Sequence, residues 1–271
     1  MGAHRLKSNH AIICAMIAAL MALATGCKAV PTPDGHMAMV GSTRIYSFAT
    51  PLRKHAADLP LKWYSLAQPG QVLIADVISY SGTKVGIEMP DGWSLIRDDL
   101  NLPVRQTLYW RRVEPGGPEA QTWTFSEPVE TQGAVLILDS AAARNPIDAS
   151  SGNSGNGWQI TSKSVGSSDA GDLLLEFYAT GYGGVGLSPK LPAGMTRLVD
   201  RSNVEKSYWV DAAFRGAAGV TGDATCAAVQ LAPWVAVQVA IRWVPGAAVS
   251  DCGGRITSPV RALIGKNRTL L

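Results

Sequence analysis

The sequence predicts an all-β protein: an antiparallel β-sandwich, jelly-roll-like, of about ten to twelve strands, behind a signal peptide and a flexible tether. Three observations predict it. Apolar and polar residues alternate with period two in many short runs. The 28 glycines of the 271 residues concentrate between those runs, where turns need positive φ. Few windows carry the 3.6-residue period of an amphipathic helix.

The chain opens with His4, Arg5 and Lys7, then an uncharged apolar stretch from Ala11 to Ala24. That stretch is about 14 residues, short of the roughly 20 a spanning helix needs. Leu23-Ala24-Thr25-Gly26-Cys27 closes it. This arrangement resembles the signal peptide of bacterial lipoproteins. The resemblance implies removal of residues 1–26 and a lipid-bearing Cys27 at the new N-terminus, with acyl chains such as palmitate. Two or three chains anchor stably where one does not. Lys28, rather than Asp, follows the cysteine, which in Gram-negative lipoproteins implies the outer membrane. In a host without one, the same anchor implies the outer face of the plasma membrane.

Residues 27–41 read as a lipidated tether, and 42–271 as the β domain. The tether has Pro, Gly and Met without periodicity, and it extends about 45 Å at most. Strand patterns follow at Val72–Ser79, Val104–Val113, Trp123–Phe125, Gly133–Asp139, Asp172–Thr180 and Ser207–Phe214. The clearest is Val235–Trp243, where Val235, Val237, Val239, Ile241 and Trp243 alternate with smaller or polar residues. Alternation of this kind belongs to antiparallel sheets with one wet side. Ala141 to Asn156, rich in Ser, Asn and Gly, reads as a long surface or binding loop.

Charge excludes one class of partner. Arg5 and Lys7 leave with the signal, so 24 basic side chains fall to 22 against 21 acidic ones. No basic stripe for nucleic acid remains. Cys14 leaves with the signal too. Cys226 and Cys252 remain, and an oxidising compartment predicts that they pair. Closing that loop of about 26 residues stabilises the fold by roughly 3.5 kcal/mol. Free buried thiols are the alternative.

Pro90-Asp91-Gly92-Trp93-Ser94-Leu95, Leu108-Tyr109-Trp110, Thr122-Trp123-Thr124-Phe125-Ser126 and Asn145-Pro146-Ile147-Asp148 occur in that order. Asp172-Leu173-Leu174, Leu191-Pro192-Ala193-Gly194-Met195-Thr196 and Ala218-Gly219-Val220-Thr221-Gly222 follow. The series, from Leu61 to Val244, resembles a mostly uncharacterised β-sandwich family of bacterial surface and phage-associated proteins. The resemblance implies fold class and an extracytoplasmic location, and no enzyme. Gln121, where the family usually has an aromatic, and the Cys226–Cys252 pair depart from its pattern.

Catalytic and cofactor patterns are weak. Gly181-Tyr182-Gly183-Gly184-Val185-Gly186 spells G-x-G-x-x-G, but Pro189 and Pro192 forbid the helix a dinucleotide site needs. Gly152-Asn153-Ser154-Gly155 only approaches a nucleophile elbow, and His36 and His55 both lie near the tether. Glu88, Asp91, Asp98, Asp99, Glu176 and Asp211 supply carboxylates for glycoside hydrolysis, at separations a sequence cannot set. Asp139, Asn145, Asp148 and Asn153 offer calcium oxygens without EF-hand spacing. No metal, cofactor or catalytic set is expected. Trp158, beside the polar loop, and Tyr182, in the glycine-rich loop, are the candidate ligand contacts, because sugar rings stack on exposed aromatic faces. The expected function is a non-enzymatic, membrane-anchored recognition or assembly module for an envelope glycan, polymer or protein. The alternatives are a structural subunit of an envelope or phage-like assembly, and a surface-tethered glycan-degrading enzyme.

Overall fold

The computed structural model describes residues 35–142, 144–182, 192–202 and 206–244, and of 228–230 the backbone only. Fifteen strands occur among them. They are β1 (Gly35–Val40), β2 (Thr43–Ala49), β3 (Arg53–Lys62), β4 (Val72–Tyr80), β5 (Ile87–Glu88), β6 (Ser94–Asn101), β7 (Val104–Arg112) and β8 (Ala120–Leu138). Then come β9 (Ile147–Ser162), β10 (Gly166–Ser167), β11 (Leu173–Thr180), β12 (Thr196–Asp200), β13 (Ser207–Phe214), β14 (Gly219–Val220) and β15 (Ala224–Ile241). All their pairings are antiparallel. Among the described residues no helix is long and apolar enough to cross a membrane.

The all-β class and the antiparallel pairing match the expectation, and the strand count exceeds it. Three strands are two-residue pairings, too short to leave a periodic trace in sequence. Two segments differ in kind. Gly35–Val40, read as tether, is paired with β2 residue by residue. Ile147–Asn156, read as loop, is the first part of β9. Ser, Asn and Gly have low strand propensity, so β9 is fixed by its surroundings. Its residues pair with β15. Gly155 leaves room for the Trp234 indole, which would lie 2.7 Å from a Cβ there. Gly152 makes room for the ion pair of Arg97 with Asp99.

Two main sheets result. The first has the order β1-β2-β8-β4-β7-β6, with β3 and β5 also pairing β8; the second has the order β12-β13-β11-β15-β9. Each is built from one contiguous part of the chain, unlike the jelly-roll path, which alternates between sheets. The two parts are duplicates. β2-β8-β4-β7-β6 and β9-β15-β11-β13-β12 are the same order, with each strand in the same chain position. Bulges fall between Leu95 and Arg97 in β6 and between Arg197 and Val199 in β12. Gly70 donates to the Val113 carbonyl as Gly171 donates to that of Arg215, both at 2.9 Å. Gly92 and Gly194 turn at φ 84° and 79°. Among the described residues β1 has no counterpart in the second part.

Period two assigns the faces. Val72, Ile74 and Ile78 of β4 and Leu136 of β8 meet Leu175 and Phe177 of β11 and Val237 and Val239 of β15 in the principal core. The opposite faces are buried as well, because β8 and β15 are long and bend. The first half of β8 pairs with β3 and the second half with β2 and β4. The first half thereby covers the outer face of its own sheet. There Trp63, Trp93, Trp123 and Tyr109 pack over Ala75, Val77, Val135 and Ile137. Trp93 meets Trp123 edge to face at 5.0 Å between centroids. β15 and β9 repeat the device, bringing Cys226 and Ile160 onto Tyr178, Trp209 and Ala236.

Gly133 permits close contact where the straight half of β8 begins. A Cβ there would sit inside van der Waals contact with the Asp76 carbonyl on β4 and 3.1 Å from Leu59 of the covering layer. Thr50 Oγ1 accepts from the Gly133 amide at 3.0 Å. Backbone cannot give way cheaply, so Gly133→Ala is expected to lose roughly 3 kcal/mol or more of stability, the upper range for overpacking. Gly82→Ala, with nothing within 4 Å, is the matched control. Urea denaturation of both variants checks this; equal stabilities would contradict the contact.

Candidate functional site

Duplication supplies an internal reference for what is specialised. One row of three residues crosses the outer face of each sheet. In the first it is Tyr109–Ala75–Val135 and in the second Asp211–Glu176–Gln238. An apolar row has its equivalent in two carboxylates and an amide. All three polar residues are buried. Tyr178 donates its hydroxyl to Glu176 Oε2 at 2.5 Å. Gln238 Nε2 donates to Ser162 Oγ at 3.1 Å and to Glu176 Oε1 at 3.3 Å. Thr221 donates to Gln238 Oε1 at 2.6 Å. The Arg197 guanidinium pairs with Asp211 and, at 3.1 Å, with Asp200.

Burial pushes Glu176 up to about 7, with the Tyr178 hydroxyl opposing and the Asp211 charge adding to it. Burial likewise lifts Asp211 to about 6 against the pull of Arg197. Two of the six carboxylates considered for hydrolysis are thus neighbours. Both are enclosed under the bend of β9 and β15, where a sugar cannot reach them. The other four lie elsewhere. Asp98 pairs with Arg105 and Asp99 with Arg97. Glu88 accepts from Thr124 at 3.0 Å, and Asp91 is exposed in a turn.

A further buried acid, Asp76, sits on the principal-core face. Gln106 Nε2 donates to its Oδ2 at 2.8 Å, while Asp76 Oδ1 and Gln106 Oε1 have no partner. Burial raises Asp76 to about 8, with the Gln106 amide and Tyr208 hydroxyl opposing. At neutral pH the group therefore holds a proton, which supplies a donor among otherwise orphaned acceptors.

Three of the four candidate calcium residues hold separate side-chain partners. Asp148 accepts from Ser168 and Arg242. Asp139 accepts from Gln71, and Asn153 donates to the Thr161 carbonyl. Among the described residues no group of three or more metal-capable side chains occurs. Cys226 carries a free buried thiol, raised to about 12 by burial and by the nearby acids. Cys252, and the Gly183–Gly186 part of the glycine-rich loop, lie outside the described residues, as do Cys27 and the signal segment.

Trp158 and Tyr182 come to one end of the molecule. Between Ala227 and Ala232, β15 runs four residues, 228–231, opposite the single residue Trp158 of β9. Trp158 sits at that bend and is 57% exposed, and Leu231, the last of the four, is 63% exposed. Tyr182 follows Gly181, whose amide donates to the Pro233 carbonyl at 2.8 Å. Pro233 pairs with Asn156, two residues before Trp158. The β6–β7 turn joins them: Asn101 Nδ2 donates to the Gly155 carbonyl at 2.6 Å and leaves Leu102 exposed. Lys206 holds Tyr182 in place. Its ammonium donates to the Gly181 carbonyl at 2.8 Å and lies 5.6 Å from the Tyr182 ring and 4.8 Å from that of Tyr80.

The equivalent bend of the first part is different. β8 carries its extra residues between Thr124 and Val129, opposite Ala57 of β3. It presents Ala57, Ser126 and Glu127 to solvent. Leu231 and Lys206 were not singled out from sequence. The signal was there in the duplication, which aligns Trp158 with an alanine. No family model, curated protein or solved structure matches the chain.

The buried acids set a pH dependence. Between the ordinary carboxyl range and the raised values, the folded protein holds protons that the unfolded chain has released. Stability therefore falls as pH rises through that window, by up to about 1.4 kcal/mol per pH unit for each group. For Glu176 the window runs from 4.5 to about 7, and for Asp76 from 3.8 to about 8. Glu176→Gln should flatten the decline below about 7, and Asp76→Asn should extend the flattening to about 8. Thermal unfolding across pH measures both; slopes identical to wild type would contradict the assignment.

Proposed function

We propose that this protein is a non-enzymatic, lipid-anchored β-sandwich of the cell envelope that recognises an envelope glycan or polymer through the Trp158 end. The observation that carries this reading is the contrast between the two duplicated bends. One is polar with an alanine at its tip, and the other offers Trp158 and Leu231, beside Tyr182, to solvent. Flat aromatic faces stack on sugar rings and bury much area at little entropic cost. Lys206 pre-orders Tyr182, which lowers that cost further.

The lipid-type signal ending at Cys27 supports attachment to the outer membrane, or to the outer face of a plasma membrane. Cys226 is a free buried thiol in the structure, and an oxidising compartment of that kind would favour its pairing with Cys252. The charge balance of the mature chain supports no nucleic-acid role. A surface-tethered hydrolase is disfavoured because its best carboxylate pair, Glu176 with Asp211, is enclosed.

Glycan-array and polymer pull-down binding by the full chain tests the reading. Trp158→Ala and Tyr182→Ala should each weaken binding about tenfold or more, the ~1.4 kcal/mol scale of one aromatic anchor. Glu127→Ala, at the equivalent bend, should leave binding unchanged. Absence of binding to every envelope polymer, or binding indifferent to both aromatic variants, would contradict it.

A further inference from the structure

We infer that the outer face of the β1–β2 hairpin seats on the bilayer surface that holds Cys27. The inference rests on the anchor reading given above. β1 is an edge strand whose two outward apolar side chains, Met37 and Met39, are each 48% exposed. They lie on one face, since Ala38 and Val40 between and beyond them point into the principal core. Their cross-strand partners on β2 are Tyr46 and Arg44. Tyr46 is half-buried at the margin of the outer aromatic layer. The result is a strip of two thioethers and a phenol with a cation beside it. Thioether side chains adapt to irregular apolar surroundings, and tyrosine suits a boundary between lipid and water.

An exposed apolar edge strand invites pairing or aggregation unless something covers it. The duplicated architecture shows how such an edge otherwise looks. β9 is the equivalent of β2, stands at the edge of its own sheet, and carries Ser150, Ser151, Asn153, Ser154 and Asn156. Among the described residues the apolar strip belongs to the strand that has no counterpart in the second part. It is also the strand nearest the anchor. Seven residues separate Cys27 from Gly35, where β1 begins, and the covalent chain between them spans about 28 Å at most. Met37 and Met39 follow within four residues of that point, so the anchor brings their face to the lipid surface. Arg44 acts on Asp139 within the same domain, so apolar contact rather than charge supplies the attraction. β1 packs against β12 of the second sheet and β9 against β6 of the first, so β1 and β9 lie toward opposite edges. Seating on β1 therefore leaves the Trp158 bend of β9 facing away from the membrane.

Oxidation of the native methionines tests this. The full lipidated chain is reconstituted into vesicles of phosphatidylethanolamine and phosphatidylglycerol, and Cys27→Ser is prepared in solution. Both are treated with dilute peroxide, and sulfoxide at each methionine is read by mass spectrometry. Met37 and Met39 should oxidise about fivefold more slowly on vesicles than in Cys27→Ser, following their loss of exposure. Met89, 38% exposed and outside the hairpin, should oxidise equally in both. Vesicle-bound protein with unprotected Met37 and Met39 overturns the seating and leaves the anchor standing. A wild-type chain that fails to sediment with vesicles overturns the anchor and the seating with it. Protection already present in Cys27→Ser would make a second copy of the chain the cover, and would also overturn the seating.

Discussion

A sheet facing a single core leaves its other side to water. Here β8 and β15, of 19 and 18 residues, bend and lay their first halves over the outer faces of their own sheets. Everything else in the fold depends on that doubling back. It buries every residue of β4 and of β11, the central strands of the two parts. It places three tryptophans over the first sheet. It encloses the Glu176–Asp211–Gln238 row over the second. It also creates the two tips, one of which carries Trp158. Close approach of β8 to β4 at Gly133 is the local condition, because the bend begins where backbone meets backbone without a side chain between.

The repeated topology frames the distribution of chemistry. The two parts keep strand order, bulge position and turn glycines, which are the features that set backbone path. They differ where side chains have somewhere new to go. Where the first part has an apolar row the second has two acids and an amide, and where the first has a polar tip the second has an aromatic one. Gln238 joins Glu176 to Ser162 of the covering layer and to Thr221, so the row serves order in the second part as tryptophans do in the first. The exposed tip is free of such work, which leaves Trp158 and Leu231 available for contact outside the molecule.

Much of the architecture was legible. Val235–Ile241 and Ser207–Phe214 announce strands by alternation or apolar density, and both are strands of the second sheet. The mostly apolar run Val72–Ser79 also reads as a strand, and its lack of alternation is the trace of burial on both faces. β9 was hidden because Ser, Asn and Gly specify no strand by themselves; pairing with β15 and contacts to Trp234 and Arg97 do so. β1 was hidden by a short period-two pattern inside a stretch with tether composition. The duplication was legible in principle, from Gly70-Gln71-Val72-Leu73-Ile74-Ala75 beside Gly171-Asp172-Leu173-Leu174-Leu175-Glu176. At the site, loop context marked Trp158 and Tyr182 as exposed. Leu231 lies at the bend of β15, where the register shift rather than alternation sets its exposure, and Lys206 acts through geometry that spacing does not encode. The Glu176–Asp211 pairing depends on register and was out of reach.

The bent halves and the flat halves of the long strands share one set of packed side chains and should therefore unfold as one cooperative structure. Native-state hydrogen exchange resolved along β8 checks this. The amides of Trp123 and Phe125, in the covering half, and of Val135 and Ile137, in the sheet half, should open with the same free energy and the same denaturant dependence. Exchange of the Trp123 half through a separate opening of markedly lower free energy, with the Val135 half still protected, would contradict it.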